Sequence, residues 1–84
     1  MALGTVLRQF ATPGLNPIGL TWDGRTLWHC DIVVDQIYQI DPWTGTVLRQ
    51  FATPGLSPTG LTWDGRTLWH CDYTAAQIYQ ISVN

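Results

Sequence analysis

A thirteen-residue stretch, GLTWDGRTLWHCD, occurs twice in the chain, at Gly19–Asp31 and at Gly60–Asp72. Each copy contains a histidine, a cysteine and two aspartates, which are the residue types of metal sites and of nucleophile–base pairs. Adjacent residues of a strand point to opposite faces. His29 and Cys30 therefore cannot act on each other or ligate one metal from a flat strand. We expect no catalytic, cofactor-binding or metal-binding residue here.

The histidines and cysteines have a structural interpretation instead. We expect Cys30 and Cys71 to be buried free thiols, because stacked sheets lie about 10 Å apart and a disulfide needs Cα atoms within about 7 Å. We expect His29 and His70 to be hydrogen-bonded histidines between sheets; a metal there would need further ligands from loops. If any ligand binds, the candidate contacts are Trp43, His29, His70 and Tyr73.

The composition excludes several classes of partner. The 84 residues include no Lys and no Glu, and four Arg oppose six Asp, for a net charge of −2. So few basic residues argue against nucleic acid, whose binding depends on phosphate contacts. The acidic balance and the lack of a long apolar run argue against a membrane. The N-terminal MALGTVLRQF lacks the features of a signal peptide, so we expect a soluble protein, cytoplasmic when expressed.

The chain is an internal repeat. Aligning Gly4–Trp43 with Gly45–Asn84, a shift of 41 residues, gives 31 identities in 40 positions. Two units this similar indicate recent duplication or deliberate design.

Each repeat predicts four short strands separated by turn signals. The strand segments read GLTW, TLWHCD, QIYQI and TVLRQF, and an Asp-Gly pair joins the first two. The sequence DPWTG predicts the turn before the fourth. Four strands in about 40–45 residues is the period of a β-propeller blade.

The segment GLTWDGRTLWHCD…QIYQIDPWTGTVLRQFATPG resembles the blades of bacterial β-propellers of the NHL and YVTN-like type. The resemblance covers nearly the whole chain and implies an all-β fold of four-stranded antiparallel blades. In such blades the Asp that ends the second strand, here Asp31 and Asp72, accepts hydrogen bonds from backbone amides of the following turn. Asp23 and Asp64 are turn formers in WDG.

The order of the segments predicts an assembly. Residues 1–14 contain a fourth-strand segment at Thr5–Phe10, residues 15–55 form a complete blade, and residues 56–84 supply the first three strands of a second. We expect the first segment to complete a neighbouring chain's second blade, because an unpaired strand edge promotes pairing with another chain. Head-to-tail contacts then close a ring of eight blades from four chains, or six blades from three.

The sequence favours a self-assembling β-propeller scaffold without catalytic activity, of designed or ancestral-like character. Near-identical blades lack the asymmetric set of residues that an active site needs, so an enzyme is disfavoured. The alternative is a multivalent carbohydrate-binding propeller of the lectin kind, since a ring of repeated weak sites gains avidity. Trp content is what suggests a glycan as the partner.

Overall fold

The computed structural model describes residues 2–55 and 57–84 and contains strands but no helix in that part of the chain. Consequently none of the described residues forms a helix that could cross a membrane. Met1 and Leu56, the first residues of two predicted segments, lie outside the described residues. The seven strands are β1 Pro17–Trp22, β2 Leu27–Asp31, β3 Gln36–Ile40, β4 Val47–Ala52, β5 Pro58–Trp63, β6 Leu68–Asp72 and β7 Gln77–Ile81.

The strands form two antiparallel sheets in which sequence neighbours pair. The first sheet has the order β1-β2-β3-β4 and the second the order β5-β6-β7. The Asp-Gly turn between β1 and β2 closes with a hydrogen bond from Asp23 N to Thr26 O of 3.1 Å, and Gly24 takes a φ of +99° that favours glycine. The predicted all-β fold with antiparallel sheets is confirmed, with four strands in the first sheet and three in the second.

One face of each sheet packs against the other sheet. The packed face of the first sheet carries Trp28, Cys30, Ile37 and Phe51. The packed face of the second sheet carries Leu61, Trp63, Leu68, His70, Tyr79 and Ile81. Gly19 permits close approach of the sheets, since a Cβ there would lie 3.3 Å from the Cβ of Leu61. This packing is the hydrophobic core of the chain.

Each sheet also has a second face, which we call its open face. Because side chains alternate along a strand, the open face of the first sheet carries Leu20, Trp22, Leu27, His29, Tyr38 and Ile40. The open face of the second sheet carries Thr62, Trp69, Cys71, Ile78 and Gln80. Leu20, Trp22 and Ile78 are exposed large hydrophobic residues, so the fold leaves apolar surface on both outer sides.

The N-terminal segment, residues 2–16, lies over the open face of the first sheet. Phe10 sits beside Gly45, where a Cβ would lie 2.7 Å from the Phe10 ring, and the Arg8 guanidinium lies 4.3 Å from the centre of the Trp43 ring. Thr5–Phe10, predicted as a strand, has no strand partner within the described chain. Its pairing with another copy stays a prediction.

A substitution at Gly14 tests the tight approach of this segment to β2. A Cβ at Gly14 would overlap the Asp31 carboxylate, so Gly14→Ala should lower the free energy of unfolding by about 1–3 kcal/mol. Leu15→Ala changes an exposed neighbour in the same turn and should have little effect. Thermal unfolding of both variants measures the difference. Equal melting temperatures would contradict the predicted overlap.

Candidate functional site

Asp31 and Asp72 organise the connection that follows the second strand of each repeat. Asp31 is buried, and its carboxylate accepts hydrogen bonds from Val33 N at 2.8 Å, Val34 N at 3.0 Å and Asn16 N at 2.9 Å. Burial by itself would raise the pKa of Asp31, but these amides, helped by the nearby His29, lower it below the ordinary value of 3.8. The resemblance implied this bonding to the following turn, and the structure confirms it.

Asp72 repeats the arrangement in the second sheet. Its carboxylate accepts hydrogen bonds from Ser57 N at 2.8 Å and Ala75 N at 2.7 Å, and these amides lower its pKa. In both repeats the carboxylate accepts from the following turn, twice for Asp31 and once for Asp72, and also from the segment before the first strand. The carboxylate therefore ties three pieces of backbone together and is not free for chemistry.

Asp23 and Asp64 sit in the Asp-Gly turns, as predicted, and also bind a tryptophan. The Asp23 carboxylate accepts hydrogen bonds from Arg25 N, Thr26 N and Thr26 Oγ1, and from Trp28 Nε1 at 2.8 Å. Trp69 Nε1 donates to Asp64 at 2.7 Å in the same way. Burial opposes ionisation of Asp23, but these donors lower its pKa. The tryptophan bond was not predicted from the sequence, although the five-residue spacing from Asp to Trp is the same in both copies.

The two cysteines are free thiols in different environments. Cys30 is buried on the packed face of the first sheet, and burial raises its pKa. Cys71 is exposed, so the prediction that both thiols are buried is wrong for Cys71. The reason is that Cys71 lies on the open face of the second sheet, where the described residues place no second layer.

The histidines are buried, each beside a tyrosine of its own sheet. His29 and His70 are each 2% exposed, and their rings stack on Tyr38 and Tyr79 with centroids 5.2 Å apart. His29 Nδ1 lies 3.2 Å from Cys30 O, and the Cys71 backbone lies near the His70 ring in the same way. Nε2 of both histidines has no partner among the described residues. Burial lowers the pKa of both imidazoles. Each histidine therefore has a backbone neighbour on its own strand, and its hydrogen bonding to another layer stays a prediction.

The other two candidate ligand contacts, Trp43 and Tyr73, are exposed. Trp43 is 70% exposed in the β3–β4 turn, and Tyr73 is 81% exposed in the β6–β7 turn. Successive turns of a meander lie at alternate ends of its sheet, so these two kinds of turn occupy opposite ends of a repeat. The structure does not bring Trp43, His29, His70 and Tyr73 together into one site.

A cavity of about 520 Å³ lies between the N-terminal segment and the open face of the first sheet. Its walls include the apolar side chains of Phe10, Leu20, Trp22, Leu27 and Ile40. Polar groups reach it from Arg8, Gln9, Thr12 and His29. Trp43 also lines it, so two of the four candidate contacts, His29 and Trp43, share this cavity.

The acidic and metal-ligating side chains do not converge. Among residues 2–55 and 57–84, no group of three or more His, Cys, Asp or Glu side chains is placed to hold a metal ion. The four aspartates of the repeated stretch are engaged by backbone and indole donors. What the arrangement does instead is fix turns and present apolar faces.

Comparison with known proteins finds a structural likeness only. No family model matches the chain, and no curated protein matches it in sequence. Among solved structures, Kuenenia stuttgartiensis hydrazine synthase superposes with a TM-score of 0.69 at 21% identity. The match covers 95% of this chain and 24% of that chain, so this chain corresponds to about a quarter of its length. At this identity the likeness concerns the fold alone.

The role of Asp31 is tested by removing its charge. Asp31→Asn keeps one acceptor oxygen but turns an amide donor toward backbone N–H groups, so the free energy of unfolding at neutral pH should fall by about 1–3 kcal/mol. Because the folded pKa lies below the ordinary value, the carboxylate stabilises the fold above about pH 4, and this contribution disappears as the pH falls. Urea unfolding at several pH values measures both effects.

Asp41→Asn is the matched control, since Asp41 also accepts a backbone bond, from Trp43 N at 2.8 Å, but at an exposed turn. The loss of stability should be clearly smaller for this variant. Equal losses in the two variants, or an acid limb that is unchanged in Asp31→Asn, would show that Asp31 does not tie the segments together.

Proposed function

We propose that the chain is a self-assembling scaffold of β-propeller architecture, in which copies pack head to tail through their open faces. Each sheet is a blade in this proposal, and the scaffold has no catalytic role. The support is that the open faces carry the same side chains as the faces that pack against each other within the chain.

The two open faces match the two packed faces residue for residue. The open face of the first sheet is the 41-residue counterpart of the packed face of the second: Leu20, Trp22, Leu27, His29, Tyr38 and Ile40 correspond to Leu61, Trp63, Leu68, His70, Tyr79 and Ile81. The open face of the second sheet corresponds to the packed face of the first, with Trp69, Cys71 and Ile78 in place of Trp28, Cys30 and Ile37. A second copy can therefore repeat the in-chain interface with the same side chains.

The change in burial between equivalent residues is the observation that carries the proposal. Ile37 is 0% exposed and Ile78 is 74% exposed, although both occupy the second position of the same segment, QIYQI. Cys30 is likewise buried and Cys71 exposed, because the other sheet covers the packed face and no second layer of the described chain covers the open face of the second sheet. Removing such apolar surface from water is favourable, by about 25 cal/mol for each Å² before the costs of association are subtracted. The exposed apolar side chains of the two open faces therefore favour binding of a second copy.

The cavity on the open face of the first sheet marks where the second copy would insert. The equivalent space on the second sheet is filled by Trp28, Cys30 and Ile37 of the first sheet. Trp69, Cys71 and Ile78 of a second copy would fill the 520 Å³ cavity in the same manner. Phe10 already lines this cavity, just as Phe51 packs beside the in-chain core.

The N-terminal segment can complete the three-stranded sheet of the second copy. Within the described residues β7 has a hydrogen-bonded neighbour on one side only, whereas β3 lies between β2 and β4. Residues 5–10 have the same sequence as residues 46–51, most of which form β4. The turns that follow are also alike, since Thr12 Oγ1 donates to Gly14 O and Thr53 Oγ1 to Gly55 O, both at 2.6 Å.

The in-chain register specifies the new pairs. Gln39 lies opposite Arg49, and Ile37 opposite Phe51, so Gln80 of one copy would lie opposite Arg8 of the next. Arg49 Nε donates to Gln39 Oε1 at 2.6 Å in the chain, and Arg8 would make the same bond across the copies. Head-to-tail contacts of this kind close when the rotation allows; we propose eight blades from four chains, with six from three as the alternative.

A charge on the open face of the second sheet should prevent assembly without unfolding the chain. Ile78→Arg places a guanidinium at a position that is solvent-exposed in the single chain but would be buried between copies, where an unpaired charge is strongly unfavourable. Val33→Arg is the control, because Val33 is exposed in a turn outside both open faces. Sedimentation velocity should show only the single chain for Ile78→Arg and the assembled mass for Val33→Arg. Retention of the assembled mass by Ile78→Arg would contradict the proposed interface.

Proline in the N-terminal segment tests strand completion separately. Leu7→Pro combined with Gln9→Pro removes two backbone N–H donors from a segment that forms no ladder within its own chain. The single chain should keep its melting temperature, while assembly should be lost because proline is not tolerated in a paired strand. Leu3→Pro, which precedes the strand-forming residues, serves as the control. Assembly that persists in the double variant would show that copies associate without exchanging this strand.

A further inference from the structure

The two histidines remain unexplained by the packing alone. A buried polar atom normally has a hydrogen-bond partner, because burying it without one costs about 1–3 kcal/mol. Nε2 of His29 and of His70 has none among the described residues, and the two side chains are 2% exposed. His29 and His70 occupy the same position of the repeat, so each of the two sheets carries one such buried histidine.

Both imidazoles lie on faces where one sheet meets another layer. His70 is on the packed face of the second sheet, between Leu68 and Asp72 on β6. His29 is on the open face of the first sheet, where it lines the cavity that the proposed function assigns to a second copy. A charge on His70 would therefore fall inside the in-chain interface, and a charge on His29 inside the interface between copies.

We propose that protonation of His29 and His70 loosens the interfaces between sheets, so that mild acid reversibly separates copies of the chain. The part that concerns His29 rests on the proposed function, whereas the part that concerns His70 holds for a single chain. The neutral imidazoles are buried and stack on tyrosine rings, and adding a proton places a cation there with no carboxylate bonded to it.

The surroundings offer little compensation for that charge. On its own sheet His29 has Asp31 and Tyr38 as titratable neighbours on the same face, and the N-terminal segment brings Arg8, whose positive charge opposes protonation. His70 has Asp72 and Tyr79 on its own sheet. On the facing sheet β1 carries no titratable side chain, β2 presents Cys30, and β4 presents Arg49.

The two carboxylates favour the protonated imidazoles through space but do not bond to them. The carboxylate oxygens of Asp31 and Asp72 accept hydrogen bonds from backbone amides instead. Burial outweighs their attraction and lowers the pKa of both histidines below the ordinary value of 6.5. Because the folded pKa is lowered, stability is complete above about pH 6.5 and falls as the pH drops below that value.

The test follows assembly and packing together as the pH is lowered. Sedimentation velocity reports the mass of the wild-type chain, and tryptophan fluorescence reports the surroundings of all five tryptophans, including Trp28 and Trp63 at the contact between the sheets. We expect the assembled mass to be lost between about pH 6.5 and about pH 5, and to return on neutralisation. Partial change in the fluorescence should accompany the loss, as His70 becomes charged.

Non-titrating variants assign the transition. His29→Phe should make association between copies resistant to acid. His70→Phe should abolish the fluorescence change in mild acid. In the double variant both transitions should move to the carboxylate range below about pH 4.5. His29→Gln and His70→Gln, which are polar and do not titrate, serve if the Phe variants fail to fold. The same pH profile in the wild type and in the double variant would overturn the proposal.

The experiment also separates this inference from the proposed function. A wild-type chain that sediments as a single chain at pH 7.5 would remove the proposed assembly, and with it the role of His29. The fluorescence transition of that single chain and its loss in His70→Phe would still test the role of His70. An assembly that forms at neutral pH but persists unchanged to about pH 5 would retain the proposed function and overturn the pH dependence.

Discussion

The rest of the structure depends on the contact between the two sheets, where Trp28, Cys30 and Ile37 of the first sheet meet Leu61, Leu68 and Ile81 of the second. An isolated three- or four-stranded antiparallel sheet of this size buries too little apolar surface to be stable. It needs a second layer that covers one of its faces. In this chain each sheet covers one face of the other. Because the two sheets are copies of one repeat, the side chains that pack on one sheet have counterparts on the open face of the other sheet.

Polar side chains in the repeated stretch serve that contact indirectly. Asp31 and Asp72 hold the segments that enter and leave each sheet, and Asp23 and Asp64 orient Trp28 and Trp69 through their indole N–H groups. Trp28 is then buried in the core with its one polar atom satisfied, which a buried indole requires. The aspartates, a residue type common in catalytic and metal sites, thus hold the apolar side chains of the sheets in place.

Much of the fold could be predicted from the sequence because its signals are local. Alternation and the Asp-Gly pair predict each hairpin, and the observed strands agree, although β1 begins at Pro17 and not at Gly19 since Pro17 pairs with Asp31 across an irregular register. Properties that depend on a neighbouring layer were predicted less well. Cys71 is exposed because nothing covers its face within the described chain, and whether Nε2 of His70 has a partner depends on which atoms the facing sheet presents. The bond from Trp28 to Asp23 was missed because it joins a turn to a strand that sequence alone treats separately.

The central claim is that the in-chain interface is repeated between copies, and the mass of the assembled protein tests it most directly. Native mass spectrometry of the wild-type chain at micromolar concentration and neutral pH should show one closed species of four chains, or of three in the alternative ring. A chain that appears only as a single copy under those conditions would contradict the account.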